Sequence, residues 1–368
     1  MPYQIGTANG HNGLLDAIRR FLTGYATLGT PAFTGSGPGT IAGVDTTTAG
    51  ITETWTISCT NDSTPGAEVW SVTGSVSGAQ ANATTGVAYS ISKLAFTVTG
   101  SGYAVGAQFT IASTRGQLAT LGQAWAQNRW ITAGDYELWL QGPGLAGTDE
   151  IFMGLRSYQN VGSDYYNLAL AGATGFVTGN TWASQPGHSG DRGVALWNGS
   201  IPYWIRANGR CAVVAAKVAT VYASFYFGKY LPYQSPGQYP YPVAVSAMLG
   251  SASATRYSDT SASHSMGFKG SSSRLVQRWI DGSWITPDCR PWMGGSPAWR
   301  DSGGAYPLQP IILNSSSGNY GELDGVYHCP VFGGNAVEDI ITVGGVQHVL
   351  IQDLFRTGVA DMIAIRLD

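Results

Sequence analysis

Charge is what this sequence has least of. Asp, Glu, Lys and Arg make up 11% of its 368 residues, against about 25% in an ordinary globular protein. A free monomer normally keeps more charge on its surface, so partners are expected to cover part of this one. Basic clusters are missing too. With a net charge of −3 and no extended Lys/Arg run, the chain has no electrostatic footprint for nucleic acid. No stretch of about 18 apolar residues occurs, so no membrane insertion by a spanning helix is expected. Met1-Pro2-Tyr3-Gln4 lacks the basic and apolar regions of a signal peptide, which points to synthesis in the cytoplasm. The four cysteines (Cys59, Cys211, Cys289, Cys329) have no CxxC spacing and read as reduced, buried thiols.

What the chain does have is 51 glycines with 12 Trp, 19 Tyr and 11 Phe, the makings of many short strands joined by tight turns. The fold class read from this is mainly β. A short N-terminal helix is followed by a small β-sandwich domain and then a larger antiparallel β body.

In residues 1–31, an N-terminal arm, Leu14, Leu15, Ile18, Phe21 and Leu22 recur at helical spacing behind a capping Asn12, and Gly24 supplies a stop. So short a helix must pack on something. Residues 32–113 alternate with period two: Trp55, Ile57 and Cys59, then Leu94, Phe96 and Val98, then Phe109 and Ile111. Residues 114–130 read as a linker or short helix, and 131–368 as the large β domain. In that domain, Cys211 to Phe227 reads as a long buried strand and Asn208-Gly209 as a hairpin turn. The four prolines of residues 232–242 mark an extended loop. Residues 251–273, rich in Ser, read as an exposed excursion.

Residues able to do chemistry are scattered. His11, His188, His264, His328 and His348 lack ligand spacing, and His328 and Cys329 point to opposite faces if they lie in a strand, so no metal or other cofactor is expected. No Gly-X-Ser-X-Gly elbow or phosphate loop is present. The carboxylates Asp149, Glu150, Asp164, Glu338 and Asp339 sit beside strands, where turn-forming roles are common, although a glycan hydrolase also uses a carboxylate pair. Tyr165, Tyr166, Trp279 and Trp284 could stack on sugar rings, but such residues also fill β cores and interfaces.

Two sets of segments resemble known proteins. Leu196-Trp197-Asn198-Gly199-Ser200-Ile201-Pro202-Tyr203-Trp204, Phe225-Tyr226-Phe227-Gly228-Lys229-Tyr230-Leu231-Pro232-Tyr233 and Glu338-Asp339-Ile340-Ile341-Thr342-Val343-Gly344-Gly345 look like segments recurring in virion proteins of tailed bacteriophages. Thr52-Glu53-Thr54-Trp55-Thr56-Ile57 and Ala104-Val105-Gly106-Ala107-Gln108-Phe109-Thr110-Ile111 resemble a small β module of phage head-decoration and tail proteins. The resemblance implies a non-enzymatic structural component of the virion, associated with tail or baseplate. Its partners would be other virion proteins and further copies of itself, as a trimer or hexamer. The alternatives are a receptor-binding tail protein that contacts host glycan or pilus, and a capsid decoration protein.

Within this reading Leu14, Leu15, Ile18 and Phe21 dock on a neighbour. Tyr230, Pro232, Tyr233, Tyr239 and Tyr241 line a loop packed between subunits, and Tyr165, Tyr166, Trp279 and Trp284 are the glycan-contact candidates. Deleting residues 1–24 is then expected to block incorporation while leaving the β body folded.

Overall fold

Alternating stretches with an apolar residue at every second position bury one face of a strand and need a second sheet to cover it. The computed structural model describes residues 2–144, 151–233, 242–259, 264–271, 274–278, 282–290, 308–329, 336–358 and 361–368. It is mainly β, with antiparallel sheets. Two units emerge, one of residues 20–122 and one of residues 1–19 with 123–368.

The smaller unit is a sandwich. Its larger sheet centres on Glu53–Asn61, paired with Gln108–Thr114 on one side and Val69–Gly74 on the other. Trp55, Ile57 and Cys59 turn inward toward Leu94, Phe96 and Val98 of a three-stranded sheet. Trp70 sits edge-on to Tyr103, with ring centroids 4.8 Å apart, and donates its indole N–H to Thr85 Oγ1 at 2.9 Å. Each large side chain so buried contributes about 1.5–3 kcal/mol from its apolar area.

The larger unit is built around a seven-stranded sheet. Its order is β1 (Tyr3–Asn9), Ser200–Ala207, Cys211–Val218, Val221–Lys229, Val243–Ser246, Leu275–Arg278 and Trp284–Ile285. On one face Val213, Ala215, Tyr226 and Leu275 meet Ile311, Leu313, Val326, Val349 and Ile363 of an eight-stranded sheet. On the other, strands Ile151–Asn160, Tyr165–Ala173 and Arg192–Leu196 of a five-stranded sheet pack against Val221–Lys229. The middle layer is therefore buried on both faces, and its strands lose the polar alternation that marks a half-exposed strand.

That burial explains the first correction. Cys211 to Phe227 is not one strand but a hairpin, Cys211–Val218 and Val221–Lys229, closed by a two-residue turn at Ala219-Thr220. Ala219 takes φ +53°, a left-handed conformation that costs a non-glycine residue about 1–2 kcal/mol. A hairpin does form at the expected place, but its two turn residues are Gly209-Arg210, because Ala207 lies opposite Ala212 and Asn208 N–H donates to Cys211 O at 3.0 Å. Asn208 Oδ1 accepts the N–H groups of Arg210 (2.8 Å) and Cys211 (3.0 Å), a side-chain-closed turn.

The second correction concerns the N-terminus. Residues 3–9 are not an arm but an edge strand in register with Ser200–Ala207. Helix α1 (Gly10–Leu22) follows, and Leu14, Leu15, Ile18 and Leu22 are fully buried within the chain. The helix stops as the sequence requires. Gly24, at φ +69°, lets Tyr25 N–H reach Arg20 O (2.9 Å) and its own N–H reach Phe21 O (3.1 Å).

Two further segments differ from expectation. Tyr230 is fully buried, and Leu231–Pro232 pair with Glu322 and Gly321 as a short strand. Gly321 permits this approach, since a Cβ there would lie 2.2 Å from Leu231 O. In the Ser-rich region, Met266 and Phe268 are fully buried and belong to the core between the seven- and eight-stranded sheets.

Candidate functional site

Where the charged residues went is the most informative feature of the molecule. Arg206 lies at the end of strand Ser200–Ala207, between Ile205 and Ala207, with no exposed surface. Its guanidinium donates to Asp324 O (2.9 Å) and Asp324 Oδ1 (3.0 Å). The other carboxylate oxygen accepts Asn208 Nδ2 (2.9 Å) and Arg210 Nη2 (3.0 Å). Gly325, at φ +77°, leaves room for this hub, because a Cβ there would stand 2.3 Å from Arg206 Cζ. Burial alone would raise the Asp324 carboxyl pKa. Arg206, Asn208 and Arg210 outweigh it and hold the group below its ordinary value. Every oxygen of this carboxylate is thus engaged in tying the hairpin turn at 208–210 to the Gly318–His328 strand.

Asp353 forms a second hub, also fully buried. Its Oδ1 accepts Met266 N (2.7 Å), and its Oδ2 accepts Ser265 Oγ (2.9 Å), Lys269 Nζ (2.9 Å) and Arg356 Nη1 (3.1 Å). Lys269 also pairs with Asp361. This clamp is why part of the Ser-rich excursion is anchored and not loose.

A third cluster joins Trp139, Trp182, His188, Asp191 and Arg156. Asp191 accepts Trp182 Nε1 and Arg156 Nη2, each at 2.8 Å. His188 Nδ1 accepts Gly190 N–H at 3.1 Å, which leaves Nε2 facing Asp191 Oδ1 at 3.5 Å. Burial lowers the His188 pKa despite Asp191. The geometry is that of a packed aromatic nest: Trp139 and Trp182 stand 5.0 Å apart over Gly154, where a Cβ would meet both rings at 2.8 Å.

The carboxylates singled out from sequence fall into several environments. Glu338 accepts Lys217 Nζ at 2.6 Å and the Tyr222 hydroxyl, and holds φ +74°. Asp339 Oδ2 accepts Ala336 N–H at 2.7 Å. Asp164 occupies an exposed turn at φ +52° and pairs with Arg256 at 3.5 Å. Asp149 and Glu150 lie outside the described residues.

Among the described residues no group of three or more His, Cys, Asp or Glu is arranged to hold a metal, and no helix is long and apolar enough to cross a membrane. The thiols are buried. Cys211 lies 3.5 Å from Arg206 Nη1, a neighbour that normally favours a reactive thiolate. Burial wins and pushes its pKa up to about 11, and burial likewise lifts Cys329 to about 12.

The docking and contact candidates are dispersed. Leu14, Leu15 and Ile18 have no exposed surface to offer a neighbour, and only Phe21 of that set is half-buried. Tyr230 is buried in the chain's own core and Pro232 pairs with Gly321, while Tyr233 is 49% exposed and donates to Glu322 Oε2 at 3.0 Å. Tyr239 and Tyr241 lie outside the described residues, as does Trp279. Tyr166 is buried, its ring 5.6 Å from that of His11, and Trp284 donates to Gly187 O at 2.8 Å with its ring edge over Gly172. Tyr165 is half-buried beside Tyr158. Tyr165, Tyr166 and Trp284 therefore do not form one sugar-stacking platform.

The polar hubs were not found by sequence reasoning, although Arg206 beside the apolar Tyr203-Trp204-Ile205 was a visible signal. A comparison with family models finds no match, and a comparison with curated proteins finds none either.

Proposed function

We propose that this chain is a structural subunit of a tailed-bacteriophage particle, associated with the tail or baseplate and working by assembly with neighbouring virion proteins. The observation that carries the reading is the fate of its charge. The sequence holds only 19 Lys and Arg and 22 Asp and Glu. Of these, Arg19, Glu53, Glu68, Arg192, Arg206, Asp324 and Asp353 are buried. The interior thus takes charge from a surface that has little, the reverse of what keeps a monomer soluble and solitary. What remains outside includes Ile5, Val76, Val105, Val161 and Ile340, each about half exposed or more.

The polar hubs support the same reading. They join distant parts of the chain into stiff sheets, and a stiff subunit loses little conformational entropy when it assembles. The phage setting comes from the resemblance of residues 196–204, 225–233 and 338–345 to virion segments.

Density-gradient-purified particles from an infected host that carries this coding sequence, analysed by quantitative mass spectrometry, test the proposal. Peptides of this chain are expected at a fixed copy number per particle after high-salt washing. Their loss in the wash, or their presence in the soluble fraction alone, contradicts it.

A further inference from the structure

An edge strand presents unpaired N–H and C=O groups that can template pairing with another chain, and natural edges are blunted by brevity, charge, proline or a bulge. Among the described residues, the sheet edges follow that rule with one exception. Trp284–Ile285, Gly270–Ser271, Thr27–Leu28 and Gly78–Ala79 are two residues long, Tyr89–Ile91 is three and Ile340–Val343 four. Ala126–Ile131 carries Arg129 and a register shift, Thr40–Asp45 carries Asp45 and another, and Arg192–Leu196 is wholly buried. β1 has none of these protections. It is seven residues long, holds no charge and no proline, and pairs with Ser200–Ala207 without a break.

The register also shows which groups face outward. Ala207 N–H donates to Pro2 O (3.2 Å), and Gly10 N–H donates to Gly199 O (2.7 Å). Hydrogen-bonded pairs recur at every second residue of an antiparallel ladder. Gln4, Gly6 and Ala8 therefore turn their backbone groups toward Ser200–Ala207, while Ile5, Thr7 and Asn9 turn theirs to the outer edge. All three are exposed.

We propose that β1 is a self-association edge. A second copy of the chain adds its own β1 antiparallel about a two-fold axis at Thr7, joining two seven-stranded sheets into one. The inference rests on the assembly reading and names the partner. In this pairing Ile5 faces Asn9 of the second copy and Thr7 faces its own equivalent, with roughly six new backbone bonds, two for each facing pair. A two-fold contact requires an edge that tolerates itself. A charged edge repels its copy, whereas this uncharged one does not, and it offers no charge by which a charged strand would be selected. Helix α1 begins at Gly10 and sets the limit of the pairing.

The test is sedimentation velocity and amide hydrogen exchange of the full chain across a concentration series reaching about 100 μM, the range suited to a small interface. The expected result is a reversible dimer, with protection at Ile5, Thr7 and Asn9 that rises with concentration. Thr7→Pro removes an outward N–H and spares the bonds to Ser200–Ala207. Thr7→Lys places two ammonium groups opposite each other across the axis. Each is expected to weaken the dimer about tenfold or more with an unchanged melting temperature in dilute solution. A wild-type chain monomeric throughout, or a dimer unaffected by both variants, overturns the proposal. A monomeric chain that still enters particles defeats the edge alone, whereas a dimer never found in particles defeats the assembly reading alone.

Discussion

Replacing Asp324 with alanine removes the acceptor for three side chains at once and leaves the Arg206 guanidinium charged and wholly buried. Hydrogen bonds to a charged group contribute about 1.5–3 kcal/mol each. Three of them would sum to more than such networks return, because their members are not independent. Breaking a buried ion pair by removing one partner costs about 3–5 kcal/mol, and that is the expected loss for Asp324→Ala. Urea denaturation followed by tryptophan fluorescence reads it. Arg206→Met combined with Asp324→Ala is expected to be less destabilised than Asp324→Ala alone, since no unpaired charge remains inside. The pH dependence has a definite sign. The folded-state pKa of Asp324 is depressed, so its contribution is in place above the unfolded value of about 3.9 and is lost as pH falls through the lower folded value. A cost of about 1 kcal/mol or less for Asp324→Ala, within the range of an exposed pair, would refute the reasoning.

In the smaller unit, burial alone would raise the Glu68 pKa, but the surrounding backbone N–H groups, with Gly102 N–H donating to Oε1 at 2.7 Å, pull it down to about 2. Its stabilising contribution should therefore be complete above pH 4.5 or so and vanish toward pH 2, and Glu68→Gln should flatten that acid limb in pH-dependent unfolding. Ala219→Gly relieves the left-handed turn residue and should stabilise the larger unit by about 0.5–1 kcal/mol, read as a higher urea midpoint. Deleting residues 1–24 takes away β1 and the fully buried Leu14, Leu15, Ile18 and Leu22. Each Leu or Ile lost from a core costs about 2–5 kcal/mol, so the truncated chain should lose cooperative unfolding by circular dichroism, and an intact transition would contradict the core role.

How much of this was legible in the sequence depends on how many faces a strand buries. Trp55-Thr56-Ile57-Ser58-Cys59 and Leu94-Ala95-Phe96-Thr97-Val98 bury one face each, so their alternation is visible and the small sandwich could be read directly. Cys211 to Phe227 buries both faces, which erases the alternation, and the turn at Ala219-Thr220 carries no Gly, Asn or Pro to announce it. The apolar stripe of α1 was legible but its destination was not, because amphipathicity says that a face is covered and not by what. The same limit applies to Met266 and Phe268, hidden in a Ser-rich stretch. Asp324 stands 118 residues from Arg206, a separation across which no local pattern connects a charge with its partner. Glu338 and Asp339 were noticed as carboxylates, but their occupation by Lys217, Tyr222 and Ala336 N–H is purely tertiary.

A cryo-electron microscopy reconstruction of the intact particle tests the central claim most directly. The account predicts density for this chain at fixed copy number in the tail or baseplate, with its charge-poor surface covered by neighbours. Particles that reconstruct completely without it, or a chain found bound only to host material, would contradict the account.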